Sequence, residues 1–392
     1  MTSTTERIEN VRQRNLAAVL ELVHRGSSPS RAEITARTGL NRSTIGALVA
    51  ELEAVGLVVE TDPTASSRVG RPSPRVEPSK DLAVIAVNPE VDAITAGLVG
   101  LGARVFHRVR REVNHTLSPE EASAVIADLV VELRARDAGS TRRVLAAGLA
   151  VPGLVRSSDG TVRWAPHLEW REVPLTQLVQ DAIGIPTFAD NDASLGAHAE
   201  WLFGAGRGVN ELIYLNGGAS GIGGGAIVRG LPLSGAHGYA GEFGQNRPGL
   251  HDSADRATLN GTLEDEVSRS RLLRSVGLEI ADEPSLKAAL HRSVDPAVTL
   301  EIERQQRVLA VALANAINVF NPERVVLGGF LATLLEWGYP LLPREIEAST
   351  VPAAWEGVSI YPAALGEDRL LIGAAELAFA PVLRDPMRIV ES

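Results

Sequence analysis

The chain has 392 residues, 45% of them hydrophobic and 22% charged, which is enough apolar material for two or three globular domains. No apolar run is long enough to cross a bilayer and Met1-Thr2-Ser3-Thr4-Thr5-Glu6 lacks a basic, apolar secretory start, so a cytoplasmic protein with no membrane partner is expected. The absence of cysteine excludes disulfides and thiolate zinc sites, and neither a metal nor a cofactor is expected. The formal net charge of -10 conceals an asymmetry: residues 1–80 carry 11 Lys and Arg against 9 Asp and Glu, the remainder 27 against 39, so contact with nucleic acid is expected in the N-terminal part.

From the N-terminus, Thr5 to Arg25 predicts a helix, with Ile8, Val11, Leu16, Val19, Leu20 and Val23 on one approximate stripe and Gly26-Ser27-Ser28-Pro29 as the stop. Ser30-Arg31-Ala32-Glu33 is a capping box that opens a short helix ending at Thr38-Gly39, and Asn41 caps a third. In that third helix Ile45, Leu48, Val49, Leu52 and Val55 follow a helical period, and Gly56 ends it. Leu57 to Glu60 reads as a strand, Thr61 to Pro72 as a turn carrying Arg68 and Arg71, and Pro74 to Val76 as the return. Residues 1–80 therefore predict a winged helix-turn-helix. With the apolar stripe buried, Asn41, Arg42, Ser43, Thr44 and Gly46 lie at or near the exposed start of the third helix, where base edges are read, and the wing arginines suit phosphates or a narrow minor groove. Gly46 costs about 1 kcal/mol relative to Ala in a helix interior, and close approach to DNA is one reason to tolerate it. A small helical bundle used for dimer contacts is the bland alternative.

After Lys80 strands and helices alternate, which predicts an α/β domain over residues 81–392 with lobes of roughly 81–190 and 191–392. Leu82 to Val87, Ala93 to Leu98, Val105 to Arg111 and Val144 to Val151 read as strands, and Pro119 to Arg136 as a helix. Thr187-Phe188-Ala189 carries Asp190-Asn191-Asp192 at its end, ahead of a helix from about Ala193 to Phe203. Leu212 to Leu215 enters, and Ala226-Ile227-Val228 leaves, a loop holding Gly217, Gly218, Gly221, Gly223, Gly224 and Gly225. Such a loop suits either a backbone cradle for phosphate or sugar oxygens or a tight turn with no ligand. It is not a dinucleotide fingerprint, because it leads into a strand. Val308 to Phe320 then reads as an apolar helix, and Arg324 to Leu327 as a strand ending at Gly328-Gly329.

Five segments in order resemble the ROK family of sugar kinases and sugar-responsive repressors, of the actin/hexokinase-like fold. They are LAVPG at Leu149–Gly153, APHLEW at Ala165–Trp170, DNDA at Asp190–Ala193, GIGGG followed by AGEFG through Gly244, and VVLGG at Val325–Gly329. The N-terminal helices followed by Gly70-Arg71-Pro72 resemble the repressor branch. The resemblance puts Asp192 at the catalytic-base position of the kinases, and Asn191, Glu242 and Glu264 at sugar-hydroxyl contacts; Gln245 can add a hydrogen bond to a hydroxyl. Gly221, Gly223 and Gly224 become a vestigial phosphate loop.

Three departures bear on catalysis. Where ROK kinases carry an Asp-x-Gly-Gly-Thr turn for ATP phosphates, this chain has Ala86-Val87-Asn88-Pro89-Glu90-Val91; proline lacks a donor and Glu90 repels a triphosphate. Ala219-Ser220 stands near the usual Thr of the second phosphate loop. The family's zinc site needs a His and three cysteines, whereas this chain has Gln245 and none, and His251 alone reads as a surface or packing residue. The expectation is a homodimeric or homotetrameric DNA-binding regulator, a repressor on an inverted-repeat operator in double-stranded DNA, answering to a sugar or sugar derivative bound without phosphorylation and without catalytic residues. The rivals are an active ATP-dependent sugar kinase with a DNA-binding appendage and a pure interaction module.

Overall fold

The computed structural model describes residues 4–26, 28–62, 73–249, 255–258 and 261–390. Its N-terminal module is three helices, α1 (Thr4–Arg25), α2 (Arg31–Thr38) and α3 (Arg42–Ala54), and an antiparallel pair, β1 (Val58–Thr61) and β2 (Arg75–Pro78). The local signals act as their chemistry requires. Ser30 and Glu33 cap α2 reciprocally, Gly39 closes it at φ 70, and the Asn41 side chain accepts from the Thr44 amide at 2.8 Å. Leu16, Val19, Leu20 and Val23 are buried with Ile34, Ile45 and Leu48, whereas Val11, expected on the same stripe, is 53% exposed. The turn that carries Arg68 and Arg71 lies outside the described residues.

The first lobe follows as β3 (Leu82–Pro89), β4 (Ala93–Gly100), β5 (Arg104–Glu112), α4 (Pro119–Arg136) and β6 (Arg143–Val151). A small antiparallel sheet, β7 (Leu154–Arg156), β8 (Thr161–Ala165) and β9 (Trp170–Val173), leads to α5 (Leu175–Ile183), β10 (Thr187–Asn191) and α6 (Asp192–Phe203). The main sheet has the order β10-β6-β3-β4-β5, with β10, β6 and β3 parallel and the two outer pairings antiparallel. Strand β3 is buried on both faces, and alternation sends its residues to two cores: Ala83, Ile85 and Val87 toward α4, Leu82, Val84 and Ala86 toward the opposite side.

The second lobe comprises β11 (Leu212–Gly218), β12 (Gly221–Val228), β13 (Leu231–Pro232), α7 (Leu263–Glu266), α8 (Arg269–Ser275), α9 (Glu283–Arg292) and α10 (Pro296–Phe320). It continues as β14 (Arg324–Gly329), α11 (Phe330–Glu336), α12 (Leu341–Ser349), α13 (Pro352–Trp355) and β15 (Ser359–Pro362), and the chain closes with α14 (Arg369–Arg384). Its sheet has the order β13-β12-β11-β14-β15. Ile213 and Leu215 face the α10 side, and Leu212 and Tyr214 face α6.

Helix α14 returns from the second lobe and packs on β6 and β3 of the first. A Cβ on Gly148 of β6 would stand 1.9 Å from the Ala374 carbonyl oxygen, so only glycine lets this helix lie so close. The layers run first sheet, α14, α6, second sheet. The N-terminal module is not separately cored either: Leu16, Leu20 and Val76 share one hydrophobic cluster with Leu371, Ala375 and Phe379 of α14.

Candidate functional site

Strand β12 brings together the acidic positions that are far apart in sequence. A Cβ on Gly223 would fall 2.6 Å from the Ala193 side chain, and one on Gly224 2.6 Å from Phe243. The start of α6 therefore lies against one face of β12, and the segment Glu242–Gln245 against the other. Gly221, Gly223 and Gly224, expected in a vestigial phosphate loop, lie in this strand. The space that their missing side chains leave is filled by Glu264, Ala193 and Phe243. The turn itself is Ala219-Ser220.

Asp192 opens α6, where its Oδ1 accepts from the Ala193 amide at 2.7 Å. Burial pushes its carboxyl up to about 7; the Ala193 amide and Arg369 oppose that rise, and Glu90 and Glu242 add to it. Asp190 is pushed up to about 6, again by burial, against the Asn191 amide. Burial, then the nearby charge of Glu264, raises Glu242. Asn191 is largely committed to the protein: its oxygen caps the Ser194 amide at 2.9 Å, and its Nδ2 donates to the Gly153 carbonyl at 3.0 Å and to Asp192 at 3.3 Å. It orients Asp192 and keeps one free acceptor position.

Glu264 accepts from the Ile222 amide at 3.2 Å and from Gln245 Nε2 at 2.5 Å, which joins α7 to β12 and to the exposed rim. Two residues on, Glu266 is wholly buried and faces the other way. It accepts from the Ala257 and Thr258 amides at 2.7 and 3.0 Å, the Thr258 hydroxyl at 2.9 Å and Arg304 Nη1 at 3.2 Å. Burial alone would raise this carboxyl, but those donors hold it below its ordinary range. Among the described residues no group of three or more His, Asp and Glu is placed to hold a metal, and His251 lies outside them.

The turn after β3 in the first lobe is held by its own side chains and those of β5. Asn88 is buried in β3 and donates to the Ala150 carbonyl at 2.9 Å, Pro89 ends the strand, and the Glu90 amide closes the hairpin on the Ala93 carbonyl at 2.7 Å. The Glu90 carboxylate receives Arg110 at 2.9 Å. Sequence reasoning missed three residues deeper in the cleft. Tyr214 OH, Asn216 Oδ1 and Arg369 Nη1 converge on Gly328, at 3.0, 2.6 and 3.5 Å from where its Cβ would stand. Arg369 comes from the far C-terminal helix, so no local pattern could have placed it.

In the N-terminal module Asn41, Arg42 and Ser43 are exposed, Thr44 is half-buried, and Ser43 donates to Asn41 at 2.7 Å. A Cβ on Gly46 would make ordinary contact with Arg31 Nη1 at 3.5 Å, so packing does not demand glycine there. Arg31 is held by Glu60 across the module at 2.6 Å, and Arg42 is exposed at the start of α3.

Two sheets facing each other across a pair of central helices, with an acidic cleft at their strand ends, define the actin/hexokinase-like bilobal class, here preceded by a helical module. The chain belongs to the ROK family, which it matches over residues 84–380. A xylose repressor of Caldicellulosiruptor bescii is 27% identical, over 96% of this chain and 98% of that protein. A glucokinase of Thermotoga maritima is also 27% identical, but over 76% of this chain and 97% of that enzyme. A crystal structure described as a ROK family transcriptional regulator, homologous to the E. coli MLC protein, superposes with a TM-score of 0.78 at 25% identity, covering 97% of this chain and 100% of that one.

Proposed function

We propose that this chain is a sugar-responsive transcriptional repressor that reads double-stranded DNA with the start of α3 and binds its effector without phosphorylating it. The observation that carries this reading is the unequal fate of the two sides of the cleft. Asp192, Glu242, Gln245 and Glu264 are gathered around β12, which suits a sugar, while the β3–β4 turn is held by Asn88, Pro89 and the Glu90–Arg110 pair, which does not suit nucleotide phosphates. Asp192 then accepts hydrogen bonds from a hydroxyl instead of removing its proton. The repressor relatives extend over the N-terminal module, whereas the glucokinase match covers about three quarters of the chain, and this difference in coverage supports DNA binding. The wing arginines Arg68 and Arg71 belong to the proposed DNA contact, as does a homo-oligomer on an inverted repeat.

D-xylose is the first effector to test, given the name of the repressor relatives, and D-glucose the second. Operator affinity should change when either sugar saturates the protein, and Arg42→Ala should lower operator affinity and relax base preference. A kinase bearing a DNA-binding appendage is the second reading, favoured by Asp192 and the glucokinase relatives. Enzyme-like release of sugar phosphate from ATP, abolished by Asp192→Asn, would establish it in place of the first.

A further inference from the structure

The N-terminal module meets the sugar-binding body at a buried joint. His24, in the last turn of α1, is 1% exposed, and Glu376 of α14 is 6% exposed. Both carboxylate oxygens of Glu376 lie 2.9 Å from His24 Nε2, and the Gly102 amide, between β4 and β5, donates to Nδ1 at 3.0 Å. That amide requires a bare Nδ1, which leaves the ring proton on Nε2, aimed at the carboxylate. The ring stands edge-on to Phe203 at 5.3 Å and to Phe379 at 6.3 Å. Beside it, Arg25 lies over Trp201 at 4.8 Å, and its carbonyl accepts from Arg207 at 3.3 Å.

Apart from Gly102, these partners of His24 sit on the two helices that begin at Asp192 and Arg369. Helix α6 starts at Asp192 and ends at Phe203, and α14 starts at Arg369, whose charge reaches Asp192, and carries Glu376 two turns later. The helices are in backbone contact: a Cβ on Gly373 would stand 2.4 Å from the Leu195 carbonyl oxygen. Buried Glu200 of α6 also accepts from the Ala364 and Leu365 amides, just ahead of α14, at 3.0 and 2.9 Å. Elements so closely joined cannot slide independently, so a displacement at Asp192 is carried along α6, about 17 Å at 1.5 Å per residue, to the ring of His24.

We propose that His24 is the coupling residue of the molecule: through its bond to Glu376 of α14 and its ring contact with Phe203 of α6, with Gly102 fixing the ring, it ties the DNA-reading module to the α6–α14 pair, so that occupancy of the cleft sets the orientation of the module. The naming of sugar as the input rests on the proposed function; the naming of the joint does not. Coupling between two sites is reciprocal, so operator binding must in turn alter α6 and α14.

The test uses the full chain, an operator duplex selected from random-sequence DNA by the wild type, and D-xylose and D-glucose as probes. Replacing both members of the pair with apolar residues, His24→Leu with Glu376→Leu, preserves packing and strands no buried charge; Glu376→Gln is the conservative companion. Wild-type operator affinity should respond to sugar by about 5- to 150-fold. In the double variant the response should shrink to less than about 2-fold, while sugar affinity and sugar-free operator affinity stay within about 3-fold of wild type, and Glu376→Gln should fall between. A wild-type-sized response in the double variant overturns the proposal. So does loss of operator binding without sugar, which would make the pair a strut and not a relay. If neither sugar acts on the wild type, the sugar reading fails for both, and amide exchange decides the joint. Operator DNA should slow exchange in 191–203 and 369–384 of the wild type and not of the double variant; equal effects in both, or none in the wild type, overturn it.

Discussion

Two hairpins, β3–β4 in the first lobe and β11–β12 in the second, are built in opposite ways. The β3–β4 hairpin contains no glycine at its tip; its turn is closed by Asn88, Pro89 and Glu90, and its carboxylate is paired with Arg110. The β11–β12 hairpin is rich in glycine, yet Gly223 and Gly224 serve the approach of α6 and Phe243, and only Gly218 meets nothing nearer than 3.9 Å. Glycine here allows close packing of α6 and Phe243 on β12. The difference teaches that the tip of one hairpin is held by side chains and the strand of the other by the elements packed on it, so each can be altered without the other.

The comparison is most easily broken in the second hairpin. Gly224→Ala would put a Cβ 2.6 Å from Phe243 and 2.8 Å from the Tyr214 carbonyl, and should cost about 3 kcal/mol or more, read as the midpoint of urea unfolding. A variant as stable as the wild type would show that this strand is not tightly packed. Next in size, Asp192→Ala should weaken binding of D-xylose or D-glucose, whichever binds, by about 10- to 150-fold, the loss of a hydrogen bond to a charged group. Calorimetry checks this, and sugar-free operator affinity should not change.

The raised carboxyls give a dependence on pH. Unfolded Asp192 loses its proton near its ordinary value of 3.8, but the folded protein holds it to about 7. Between those values unfolding releases a proton, so native stability falls as pH rises, by at most about 1.4 kcal/mol per unit, and levels off above the folded value. Asp190, pushed up to about 6, contributes with the same sign. Denaturation at about pH 5 and about pH 8 should show a smaller decline for Asp192→Asn than for the wild type. A decline of the same size in both would show that Asp192 is solvated in the folded state. The smallest effect belongs to the first hairpin. Removing the negative charge and the proline with Pro89→Gly and Glu90→Gly should tighten ATP by only about 2- to 5-fold, because one charge acting across a wet cleft is worth about 0.5–1 kcal/mol. Sugar phosphorylation should stay at background in both proteins.

Local signals were legible wherever the physics is local. The Ser30 and Asn41 caps, the buried stripe of α3, and the strand that delivers Asp190 to Asp192 all follow from neighbours within a turn or two. The glycine hairpin read as a long loop, because glycine is a poor strand former by itself, whereas the strands persist across Gly217, Gly218 and Gly223 through pairing and the cover of α6. Asn191 read as a sugar contact, and its capping and Gly153 bonds emerge only in three dimensions. Nothing within α14 announces that Arg369 belongs to the cleft or Glu376 to His24, since those partners lie more than a hundred residues away. His24 itself reads as an ordinary basic residue at a helix end.

The shared core of the N-terminal module and α14 has a consequence for the order of synthesis. Leu16, Leu20 and Val76 leave the ribosome long before the side chains that complete their cluster, Leu371, Ala375 and Phe379. The N-terminal module thus waits for α14, and a nascent product or one truncated before α14 lacks the wall against which α1 closes. Premature engagement of DNA by a half-made chain, with no functional cleft attached, is disfavoured by the topology itself.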